Sequence, residues 1–185
     1  MVRLLAIFVV VFALPVWPQE AAAPPPPVSA NARLGFSYKV PYGWVDRTAA
    51  MQAEDTPKGQ VLLAAFERPP EARSDSVNSA VIIAAESAAS YPGLKTAADY
   101  FGPLSELTTS KGFTVVNPPY LFTTGSRQLL RADYDKPMGK LTMHQSSLAM
   151  LNRGYLVSFT FIAGSEDEVD RLIEALKLSP TKPVH

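Results

Sequence analysis

An α+β fold, with a largely antiparallel sheet packed by helices in α/β/α layers, is predicted by three features of this 185-residue chain. Short apolar runs alternate in the two-residue period of half-buried strands and are separated by turn residues. Two long strand candidates meet at the tight turn Asn152-Arg153-Gly154. A capped amphipathic helix follows them, so strands and helices mix within one domain rather than alternating as parallel βαβ units.

The first element is a leader. Met1-Val2-Arg3 carries one positive charge, Leu4 to Leu14 is an apolar run too short to span a bilayer comfortably, and Ala21, Ala22 and Ala23 supply small residues. That order predicts a signal peptide over 1–23, cut between Gln19 and Ala23, and hence export to the periplasm or beyond. An uncleaved anchor, extended by Val16 and Trp17, is the rival reading. After cleavage no membrane span is expected. A proline-rich linker is expected at 24–33, an extended unpaired spacer that also has the composition of an SH3-type ligand.

A single domain is expected over 34–180, with a short tail at 181–185. Phe36, Tyr38 and Val40 alternate with Ser37 and Lys39 as a strand, Pro41 ends it, and Gly43 turns the chain toward a second strand at Trp44 and Val45. Val61 to Glu67 and Ser79 to Ser87 are further strands, with the Pro- and Ser-rich segment between them a loop. Thr96 to Gly112 reads as a helix, with Thr96 and Asp99 as a capping pair and Gly102-Pro103 as a kink or break. Phe113 to Val116 is a short strand before a proline-aromatic loop. The long hairpin comes next, and Ser165 with Glu168 forms a capping box for a helix whose apolar side is Val169, Leu172, Ile173, Leu176 and Leu178.

The stretch Phe36 to Trp44, an aromatic strand running into Pro, Gly and Trp, resembles the opening of PsbP-like domains, the PsbP/Mog superfamily. With the element order it covers Leu34 to Ser179. The resemblance implies a PsbP-like α/β/α sandwich and a non-enzymatic accessory or binding role on larger assemblies, and it carries over no functional residue.

Composition excludes much chemistry. The chain has 17 Lys plus Arg against 17 Asp plus Glu and no cysteine. A strongly basic nucleic-acid surface, disulfides, thiolate metal sites and a cysteine nucleophile are therefore not expected. Gly-x-Gly-x-x-Gly, P-loop and His-Glu-x-x-His patterns are missing from the sequence, and no cofactor or metal is expected.

Pairing Leu151 with Tyr155 around the turn puts Thr142, His144 and Ser146 on one polar sheet face with Ser158 and Thr160. Leu141, Met143, Tyr155, Val157, Phe159 and Phe161 then form the core face. His144 and Ser146, with Asp133 or Asp135, contain the groups of a hydrolase, but no Gly-x-Ser-x-Gly elbow presents the serine. Asp133 and Asp135 share a strand face with Arg131, which favours ion pairing over calcium binding. Glu166, Asp167, Glu168 and Asp170 are explained by the dipole of the helix they begin.

Aromatic residues on turns are the remaining binding candidates: Tyr42, Tyr91, Tyr120 and Phe122. The leading expectation is an exported protein-interaction domain with an envelope protein as partner. A carrier of a small apolar ligand or lipid, held between sheet and the Thr96 to Gly112 helix, is second.

Overall fold

A computed structural model describes residues 27–54 and 59–179. The leader at 1–23 and the tail at 181–185 lie outside them. Along the chain the elements are β1 (Val28–Asn31), β2 (Phe36–Lys39), β3 (Val45–Asp46), α1 (Thr48–Glu54), β4 (Gly59–Phe66), β5 (Ala80–Ser87), α2 (Ala98–Ser110), β6 (Thr114–Thr124), β7 (Arg127–Met138), β8 (Leu141–Asn152), β9 (Tyr155–Ala163), α3 (Glu166–Glu174) and β10 (Leu176–Leu178). Seven strands make one antiparallel sheet in the order β3-β4-β5-β9-β8-β7-β6, and β1-β2-β10 make a second, three-stranded one. The fold is α+β, as the patterning predicts.

Alternation sends side chains to two separate cores. One face of the main sheet presents Leu63, Val81, Ile83, Leu148, Phe159 and Phe161 to the small sheet and to Val169, Leu172 and Ile173 of α3. Phe36 meets Phe159 edge-to-face at 5.5 Å between ring centres, an arrangement aromatic pairs favour. The opposite face buries Ala132, Tyr134, Ala149 and Leu156 under Phe101 of α2. Trp44 packs half-buried against the first core, after a turn in which Gly43 takes φ +79°.

Several elements differ from the sequence expectation. Val28–Asn31, inside the segment read as an unpaired spacer, pairs with β2. Helix α1 was not foreseen, and its side chains serve the sheet: Thr48 Oγ1 accepts from Ala64 N at 2.9 Å and Gln52 Oε1 from Val61 N at 2.6 Å. Helix α2 runs on through Pro103 rather than splitting there. Asp99 Oδ2 accepts from Thr96 N at 2.7 Å, so the capping pair forms. Strand β6 continues through Pro118 and Pro119, where a loop was expected. It is an edge strand with irregular register between Val115 and Tyr120, the setting in which proline's missing N–H is tolerated.

The final helix is capped as expected, Ser165 Oγ accepting from Glu168 N at 3.3 Å. The Glu168 carboxylate is engaged elsewhere, accepting from the buried Ser79 hydroxyl at 2.6 Å. The helix stops at Glu174, and Leu176 and Leu178 belong to β10 instead.

Candidate functional site

Register decides the site. In the hairpin Asn152 pairs with Tyr155 and Leu151 with Leu156, one residue from the expected pairing. A one-residue slip moves a strand's side chains to the other face of the sheet. Ser146 therefore stands opposite Phe161 and His144 opposite Ala163, while Ser158 and Thr160 stand opposite Ala149 and Ser147. The expected polar face does not exist as one surface: Thr142, His144 and Ser146 are on the α3 side, Ser158 and Thr160 on the α2 side. The two-residue loop explains the slip, because Arg153 (φ 51°) and Gly154 (φ 77°) both take positive φ, as a type I′ hairpin turn requires.

On the next strand Asp133 pairs with Ser146 and Asp135 with His144, which brings the β7 carboxylates onto the same face. Asp133 is the hub of a half-sheltered network. Its Oδ1 accepts from Ser146 Oγ at 2.5 Å and from Arg131 Nε at 2.7 Å, and its Oδ2 from Asn117 Nδ2 and Tyr120 OH, both at 3.0 Å. Burial alone would raise the Asp133 pKa. Hydrogen bonds from Ser146 and Arg131, the Arg131 charge and Asn117 outweigh it and hold the carboxyl below the usual range. The Tyr120 phenol is pushed up to about 12 by burial and by the Asp133 charge, against the pull of Arg131. Arg131 Nη2 also reaches Asp170 Oδ1 at 2.8 Å, tying β7 to α3.

Beside this network, His144 Nδ1 lies 2.8 Å from Asp135 Oδ1. The approach is not that of a hydrogen bond, so Nδ1 is buried without a hydrogen-bond partner. Asp135, His144 and Glu166 hold their donor atoms within 4.8 Å of one another. All three line a cavity of about 60 Å³ together with Asp133, Ser146 and Asp170.

Ser146 thus gives its proton to Asp133, and His144 faces Asp135. Among the described residues no Ser146–His144 hydrogen bond joins nucleophile to base, although both sit on one face. Ser146 is 2% exposed, whereas a nucleophile needs an open approach for substrate.

The aromatic candidates are scattered. Tyr42 is exposed in the turn leading to β3, at one margin of the main sheet, and Tyr120 is on β6 at the other. Six strand spacings separate those edges, roughly 29 Å. Tyr120 and Phe122 are strand residues rather than loop anchors. Tyr120 is bound to Asp133, and Phe122 packs on the core under the Arg131 guanidinium, 5.3 Å from its ring centre. Tyr91 donates to Glu86 and lines an open cleft of about 590 Å³ with Pro92, Leu94, Tyr100, Pro103 and Leu107. Missed by sequence reasoning were the exposed side chains of β6 itself: Val115, Val116 and Leu121.

Among solved structures, the α+β fold is similar to that of PsbP. Cyanobacterial PsbP (CyanoP) from Synechocystis sp. PCC 6803 matches with TM-score 0.55 at 17% identity, covering 86% of this chain and 96% of that one. The Saccharomyces cerevisiae Ran-binding protein Mog1p matches at 0.44 and 10% identity, over 78% of this chain and 90% of its own. LpqN of Mycobacterium tuberculosis, involved in cell envelope biogenesis, matches at 0.43 and 15%, over 86% and 88%. No family model and no curated protein matches the chain. Among the described residues, no helix is long and apolar enough to cross a membrane.

Proposed function

We propose that this protein is an exported, non-enzymatic interaction domain that docks on a protein of the cell envelope through the β6 edge of its sheet. One observation carries the reading. Of the nine exposed large apolar side chains among the described residues, four lie on the edge strand β6, Val115 and Leu121 toward its α2 side and Val116 and Tyr120 toward its α3 side, with Leu121 67% exposed. Leu141 and Met138 are also exposed, at the β7–β8 turn beyond the Thr114 end of the strand. Exposed apolar side chains concentrated on one edge strand mark it as a candidate docking edge, whereas single exposed apolar residues are ordinary. The leader pattern supports the envelope as the compartment.

The test is photo-crosslinking in the native host from position 121, against position 28 as an exposed control on the other sheet. A discrete crosslinked polypeptide in the envelope fraction, lost on V116D/L121D with the melting temperature unchanged, supports the reading. Equal crosslinking from both positions, or a cytoplasmic protein, sinks it.

The cleft beside α2 favours a second reading, carriage of a small apolar ligand. Phe101 seats the helix directly on the sheet, so the space is an open trough along its flank rather than a sealed chamber. Native mass spectrometry of protein purified from its host decides this. A small-molecule adduct, lost on Leu107→Glu, supports carriage, and a bare chain counts against it.

A further inference from the structure

The β6 edge leaves the polar cavity under the start of α3 without a role. We propose that Asp135, His144 and Glu166 form a binding site for one divalent transition-metal ion, with zinc the best match to the donors. Three elements converge there, β7, β8 and the first residue of α3, and they offer one imidazole nitrogen and two carboxylates. Zinc takes such N and O ligands at about 2.0–2.2 Å and leaves a fourth position to water or another ligand. Donor atoms within 4.8 Å of one another reach that shell by shifts of side-chain tips alone. One water needs roughly 10–15 Å³ of such space, so the cavity of about 60 Å³ has room for an ion and its remaining ligand.

Two ordinary explanations each cover part of the arrangement. The α3 dipole accounts for Glu166 at the helix start, and a charged imidazole accounts for Asp135 beside His144. Neither explains why Nδ1, shut off from solvent, has no hydrogen bond while facing a carboxylate. Buried polar atoms are ordinarily satisfied. A metal-ligating imidazole nitrogen offers its lone pair to the ion, and Nδ1 makes no hydrogen bond that the ion would have to displace. Neighbouring cations do not neutralise the pair of carboxylates either. Arg131 is spent on Asp133 and Asp170, and among the described residues no lysine or arginine forms an ion pair with Asp135 or Glu166. An ion there would pin the start of α3 to the β7–β8 hairpin and leave one coordination position toward the cavity.

The experiment uses the full mature chain without an affinity tag, stripped by chelation and titrated with Zn²⁺ by calorimetry, with native mass spectrometry to count ions. One ion per chain is expected. His144→Ala and Glu166→Gln should each weaken binding at least about tenfold, while His185→Ala, which removes the only other histidine, leaves it unchanged. Far-UV circular dichroism confirms that each variant is folded. Glu166→Gln, exposed and nearly isosteric, keeps the test valid should His144→Ala unfold. Absence of binding at millimolar Zn²⁺ would overturn the proposal. So would affinity indifferent to both ligand substitutions, or affinity abolished by His185→Ala.

Discussion

Replacing Asp133 with Asn keeps the size of the side chain and removes its charge. The carboxylate accepts four hydrogen bonds, from Ser146, Arg131, Asn117 and Tyr120, and an amide oxygen with one NH₂ cannot accept them all. The guanidinium of Arg131, 12% exposed, is left with only Asp170, which is 58% exposed and holds it through a largely solvated contact. Breaking a buried charge pair by removing one partner costs about 3–5 kcal/mol. Because Asp133 retains slight exposure and Arg131 keeps a second acceptor, the lower end applies, about 3 kcal/mol. For a domain of this size that lowers the melting temperature by about 6–12 °C. Native Asp133 is held below the ordinary carboxylate pKa, so its stabilisation is complete above about pH 4 and is lost as pH falls through the depressed folded value. Urea unfolding of wild type and D133N should therefore show a constant gap near neutrality that narrows in strong acid. A neutral-pH gap below about 1 kcal/mol, the range of exposed pairs, would refute the reasoning, as would a gap independent of pH.

Other substitutions test other parts of the fold. Phe161→Ala, at a side chain fully buried against Tyr38, should cost about 3–5 kcal/mol in denaturant unfolding. Arg153→Asn at the hairpin turn, where arginine holds φ 51°, should stabilise by about 0.5–1 kcal/mol, because Asn tolerates the left-handed region. Glu168→Ala strands the Ser79 hydroxyl, 2% exposed, and should cost about 1–3 kcal/mol, with Ser79→Ala in the same background recovering part of it. Replacing Pro118 and Pro119 with Thr restores the backbone N–H groups missing from the β6 edge strand and should produce concentration-dependent oligomers in sedimentation. A strictly monomeric variant would show that the bulges alone protect the edge.

The sequence carries the architecture because most strands alternate cleanly and the last helix announces its cap. Phe36 and Tyr38, or Val169, Leu172 and Ile173, need no partner to reveal which way they face. Strand β6 was hidden because its signal is tertiary. Every residue from Thr114 to Leu121 is exposed, so no apolar alternation exists to read, and Pro118-Pro119 argues for a loop until the strand is known to lie at an edge. Helix α1 was hidden for a related reason: Thr48 and Gln52 act through hydrogen bonds to β4, and such contacts have no periodicity.

The site was less legible than the fold, and one turn accounts for much of the difference. Sequence reasoning singled out His144, Ser146, Asp133 and Asp135 as residue types that can do chemistry, and it paired Arg131 with the β7 carboxylates, which is where the structure puts the 2.7 Å contact to Asp133. It could not say which polar residues share a face, because that depends on whether Arg153 and Gly154 both adopt positive φ in a two-residue loop. A three-residue loop joins His144 and Ser146 to Ser158 and Thr160 in a hydroxyl-rich strip. A two-residue loop sends those hydroxyls to the α2 side and turns His144 and Ser146 toward α3, where Glu166 waits at the helix start. The residues that line the cavity under α3 are thus selected by the positive φ of the two loop residues, Arg153 and Gly154, 9 and 10 positions along the chain from His144.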